Sequence, residues 1–111
     1  MQQPTDATTT QALISEALAA CRVLPPHERL VELNDRLRAE LAQSVATVQA
    51  QMGGMDRGSV DWHRRQRALD AASNATAENL GSGLLSAAMH VAELGRRLVE
   101  LNALTMGGED A

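Results

Sequence analysis

Residues 84–105 read LLSAAMHVAELGRRLVELNALT, and this stretch decides the fold. Leu84, Ala87, Val91, Leu94, Leu98, Leu101 and Thr105 recur at alternating spacings of three and four, the pattern of a helix with one apolar seam. Leu85, Ala88, Ala92, Gly95, Val99 and Ala103 widen that seam to an arc of about 200°. Ser86, Met89, His90, Glu93, Arg96, Arg97 and Glu100 are left for the other side. A helix apolar over half its circumference needs cover on two sides, from other helices of the chain or from a partner. The small residues Ala88, Ala92 and Gly95 should admit one neighbour at close range.

The rest of the chain supplies such neighbours. Residues 8–26, TTTQALISEALAACRVLPP, read as a short first helix. Thr8 and Gln11 have capping-box spacing, and Leu13, Ile14, Ala17, Leu18, Cys21 and Leu24 form its apolar face. Pro25 and Pro26 end it, and Pro26 opens a second helix that runs to about Met52. Leu30, Leu33, Leu37, Leu41, Val45, Val48 and Met52 make its stripe. Glu32 and Arg36 face solvent as an (i, i+4) pair. Gly53-Gly54 offers a left-handed cap. Ser59 is the expected N-cap of a third helix that fades near Leu80, with Asp61 favourable in its first turn. Gly81 and Gly83 break the chain before the last helix.

Short connections make consecutive helices antiparallel neighbours. The expected fold is all-α: an antiparallel bundle of three long helices with a shorter N-terminal one. The expected organisation is a disordered tail over 1–7, one bundle domain over 8–106 and an acidic disordered tail over 107–111.

Composition agrees. The 111 residues include 19 Ala and 15 Leu but no Phe or Tyr, a make-up suited to closely packed helices. All 10 basic residues are Arg, which points to a GC-rich coding bias. The net charge of −4 argues against a dedicated nucleic-acid binder. The single Cys21 makes no internal disulfide. With no basic-then-apolar leader and no run of about 18 apolar residues, the expected setting is the reducing cytoplasm, with no membrane.

Chemistry-bearing motifs are sparse. VDWHRRQRALD, residues 60–70, joins the only aromatic residue, Trp62, to His63, Arg64, Arg65 and Arg67. A stacking platform needs ring and cations on one surface. Helical spacing instead places Trp62 inward with Leu69, Ala72, Thr76 and Leu80, and places Arg64 and Arg67 about opposite. Arg65 borders the inward face and lays its stem along the core edge. Arg57, Arg64, Arg65 and Arg67 remain as a candidate patch for an anionic partner. Ala68, Ala71 and Ala75 beside it form a low-relief surface that another helix could cover.

His90 and Glu93 stand one turn apart, but no inward glutamates accompany them as a di-iron bundle would require. They read as surface residues. Cys21, on an apolar face, reads as a buried structural thiol. Phosphate-loop spacings are lacking. No catalytic residues, no metal site and no cofactor are expected.

The segment from Asp61 to Leu104 resembles short, uncharacterised Arg/Ala/Leu-rich helical proteins of actinobacteria, some of them near mobile elements. The likeness is carried by Arg67, Ala68, Leu69 and Ala72, then His90, Ala92, Leu94, Arg97, Leu98 and Leu101. It implies a helical hairpin and no particular activity.

The residues point to a non-catalytic helical module for protein–protein contact, self-associating through the last helix. Its interaction seam would be Leu84, Val91, Leu94, Leu98 and Leu101, an apolar surface larger than the third helix can cover. The partner would be another protein or a second copy. The alternative is a DNA-associated regulatory or mobile-element accessory factor that uses the Arg-rich face.

Overall fold

The computed structural model describes residues 6–110, and the surroundings of side chains from Thr9 to Thr105. It is an all-α bundle: α1 (Asp6–Ala19), α2 (His27–Met52), α3 (Val60–Ala77) and α4 (Leu84–Asp110). None of the described residues is in a strand. Helix α4 lies at the centre and touches the other three, α2 most extensively, while α1 and α3 do not meet.

Side-chain ties fix the directions. Thr10 reaches Glu40 and Glu16 reaches Arg29, so α1 and α2 run antiparallel. Arg65, early in α3, bonds Gln51 near the end of α2 and Leu104 far along α4. Helix α3 therefore opposes both, and α2 runs alongside α4.

The α2 stripe is buried as the spacing predicts. Leu30, Leu33, Leu37 and Val48 have no exposed surface, and Leu41 has 2%. Each such side chain is worth about 1.5–3 kcal/mol on burial. Pro26 is the N-cap of α2, and its carbonyl accepts from Arg29 and Leu30. Ser59 caps α3, its hydroxyl accepting from the Trp62 amide at 3.1 Å.

Ala88, Ala92 and Gly95 are buried, and α1 is the neighbour that comes close. A Cβ built on Gly95 would sit 3.1 Å from the Cβ of Ala17. The small-residue stripe thus sets the α1–α4 spacing.

Several boundaries and faces differ from expectation. Helix α1 starts at Asp6, so Thr8 lies within its first turn and not at a cap. It ends at Ala19, where Arg22 and Val23 both donate to the Ala19 carbonyl. The helical wheel no longer applies beyond that point. Ala20 is buried in place of Cys21, which is exposed, and Leu24 is 45% exposed. Gly53 ends α2 in the right-handed region, with φ −60° and ψ −23°. At the termini, residues 1–5 and 111 lie outside the described residues. Asp6 and Ala7 open α1, and α4 continues through 107–110, where a tail was expected. A formed helix carries through Gly107-Gly108 at a cost of about 1 kcal/mol per glycine.

Helix α3 is rotated relative to its expected face. Its buried residues are Arg65, Ala68, Ala72 and Ala75, with Trp62 and Leu69 only half-buried at the edge. At 100° per residue, this inward direction lies about 70° from the expected face of Trp62, Leu69, Ala72, Thr76 and Leu80. Of the alanines expected to face a partner, Ala68 and Ala75 are buried in the bundle and Ala71 is half-buried.

Candidate functional site: the groove between α2 and α3

The rotation of α3 leaves a gap. Helix α3 packs mainly on α4 and meets α2 only sparsely. A groove of about 670 Å³ runs between the two helices. Leu41, Val45 and Met52 of α2, with Leu69 and Ala72 of α3, supply its apolar lining. Gln49, Gln66, Asp70 and Ser73 give it a polar rim. Its size lies within the range of ordinary ligand clefts. Ala42 and Ser73 line it from exposed positions.

Both ends of the groove are held by arginines. At one end Arg65 is 5% exposed. Its guanidinium donates to Gln51 Oε1 at 3.1 Å, the Asp61 carbonyl at 3.3 Å and the Leu104 carbonyl at 3.1 Å. Arg65 is therefore a structural tie among α2, α3 and α4, and it does not belong to an anion-binding patch. The physical reason is its place on the inward alanine face, where carbonyl and amide oxygens solvate the buried charge.

At the other end Arg38 of α2 donates to the carbonyls of Thr76 at 2.9 Å and Glu78 at 2.6 Å, and to Asn34 Oδ1 at 3.2 Å. His90 Nε2 lies 3.5 Å from the same guanidinium. Burial first, then the Arg38 charge, holds the His90 imidazole below its usual range against the opposing pull of Glu78 and Glu93.

The remaining candidate arginines stay at the surface. The Arg57 guanidinium lies 5.6 Å over the Trp62 ring, a cation–π contact. The His63 ring meets Trp62 edge-on at 5.2 Å. Arg64 stands 3.8 Å from Asp61, and Arg67 is exposed. Asp56, Asp61 and Asp70 are exposed beside them, which dilutes the positive field.

The proposed seam on α4 is not a free surface. Val91, Leu94, Leu98 and Leu101 have no exposed area, because α1, α2 and α3 together cover them. Only Leu84 is open, at 43%. Apolar exposure on α4 comes instead from Leu85, Met89 and Val99. Glu93 pairs with Arg96 and Arg97, and His90 faces Arg38. Among the described residues no group of three or more His, Cys, Asp or Glu is placed to hold a metal.

Two ties were missed in the sequence. Arg38 was not singled out: the spacing carries α3 to about Leu80, next to Gly81, whereas the helix stops at Ala77 with Glu78 as its cap and takes its donor from α2. The Glu16–Arg29 pair joins segments whose facing depends on tertiary packing.

A family model covers residues 8–106, that of a family of unknown function, DUF6415. The chain belongs to this family. The DUF6415 match extends well beyond the segment that carries the resemblance, and it takes in the groove, Arg38 and Arg65. No curated protein and no solved structure matches the chain.

Proposed function

We propose that this DUF6415 member is a non-catalytic helical module for protein–protein interaction, and that its working surface is the α2–α3 groove. One observation carries the reading: an apolar channel with a polar rim is left open between two helices. An amphipathic helix lays its apolar face into such a channel. The occupant is a helix of another chain, either a second copy or a different protein. The same reading sets the protein in a bacterial cytoplasm, on its single cysteine and its coding bias.

Ala42→Arg and Ser73→Arg test the groove, since both positions are exposed and line it. Light scattering and affinity capture with mass spectrometry, run on wild type and variants, are the measurements. Both substitutions should abolish self-association or capture while circular dichroism stays unchanged. A partner or dimer retained by both variants sinks the groove reading.

Nucleic-acid contact is the second reading, favoured by Arg57, Arg64 and Arg67 at the surface beside Trp62. Burial of Arg65 and the interspersed aspartates weaken it. DNA affinity that falls steeply with salt would support it over the groove.

A further inference from the structure

We infer that His90 is a proton-sensitive latch on the α2–α3 groove. Neutral, it accepts from Arg38 and keeps that guanidinium on the end of α3. Protonated, it repels Arg38 and lets the end of α3 part from α2.

The argument begins at the end of α3. That helix has no basic residue in its last turn, and its cap residue, Glu78, is extended. Its terminal carbonyls need a donor from elsewhere. Arg38 supplies two N–H groups, to Thr76 and to Glu78, and its charge suits the negative end of the helix. The nitrogen that serves Glu78 is also the one 3.5 Å from His90 Nε2. A neutral imidazole nitrogen tolerates that donor, but an imidazolium cannot accept a hydrogen bond. Two positive charges at this separation repel.

Three charged groups face the imidazole. Arg38 comes from α2, Glu78 from the segment after α3, and Glu93 from α4 itself. Glu93 is already engaged by Arg96 at 3.2 Å and Arg97 at 3.3 Å. Glu78 is exposed, so water and salt screen it. The Arg38 contact therefore dominates.

Release at this point has a defined consequence. Arg38 and Thr76 both line the groove, and the α2–α3 contact is sparse along its length. The other end stays fastened through Arg65 and Gln51. Without Arg38, α3 stays packed on α4 but its last turn frays, and the groove opens at the Thr76 end. The latch belongs to the free chain, whatever fills the groove.

An NMR titration of the full chain without partner tests this. It follows the His90 ring beside those of His27 and His63. Amide exchange, corrected for its intrinsic pH dependence, follows the last turns of α3 and the centre of α4. His90 should titrate below the value of about 6.5 typical of an exposed imidazole. Protection over residues 73–78 should fall with the same midpoint, while the Leu94 and Leu98 amides keep theirs. In His90→Gln, whose side-chain carbonyl can still accept from Arg38 without gaining charge, the fall should vanish. In Arg38→Gln, protection at the α3 end should be low at every pH. A His90 that titrates at or above the exposed value overturns the latch. So does acid loosening of α3 that persists in His90→Gln, and both readouts hold even where Arg38→Gln does not fold.

Discussion

Among the described residues, Arg65 pairs with no carboxylate, yet it is the one charged side chain that is buried. Its three oxygen partners, Gln51, Asp61 and Leu104, stand in for water. Replacing it with alanine removes a buried charge, leaves Gln51 Oε1 without this donor, and takes the second hydrogen bond from the Asp61 and Leu104 helix carbonyls. Hydrogen bonds to a charged group are each worth about 1.5–3 kcal/mol. Loss of the set in Arg65→Ala should destabilise the fold by about 3 kcal/mol, read as a lower urea midpoint. An exposed neighbour, Arg67→Ala, should change it by less than about 0.5 kcal/mol. Equal effects at the two positions would return Arg65 to the surface patch. The sequence placed Arg65 at the edge of the inward face, but could not show that oxygens from three helices converge on it. Hydrogen-bond partners this distant along the chain exist only after packing.

At the scale of the element, the helices that follow a single periodic stripe were legible and α3 was not. The α2 stripe from Leu30 to Met52 is long, made of large residues, and unambiguous. Helix α3 offers large residues at Trp62 and Leu69 and small ones at Ala68, Ala72 and Ala75. Size alone favours the first set as the core face. Close approach to α4 favours the second, because alanines let two backbones come together over a longer line of contact. The same logic operates between α1 and α4 at Gly95. A leucine there must displace Ala17, whose Cβ already lies 3.1 Å from the position of an added Cβ. Overpacking of this kind costs about 1–3 kcal/mol. Gly95→Leu should lower thermal stability and expose the α1 amides to exchange before those of α2. Gly95→Ala should fall near break-even, since alanine's helix preference of about 1 kcal/mol offsets the squeeze. A fully stable Gly95→Leu variant would mean that α1 is not docked as described.

At the scale of the whole molecule, two acid-sensitive ties among the described residues fasten peripheral helices to the α2–α4 centre, and both act in one direction. His90 is held below its ordinary range, so the unfolded chain binds its proton first. Stability tied to it is complete above about pH 6.5 and is lost as pH falls toward the lowered folded value. Glu16 is also lowered, chiefly by its hydrogen bonds from Arg29 at 2.6 and 2.5 Å. Its contribution is complete above about pH 4.3 and is lost as pH falls below that. Stability therefore rises with pH across both windows. Thermal melts from about pH 8 to about pH 3 should show an upper decline that disappears in His90→Gln. A lower decline should be reduced in Glu16→Gln, whose effect stays small because both partners of the pair are about one-third exposed. The windows are separate, and so are the places: the upper one loosens α3 from α2, the lower one loosens α1 from α2. Amide exchange at intermediate pH should find the end of α3 open while α1 remains protected. If α1 opens first on acidification, the assignment of the two ties to the two windows is wrong.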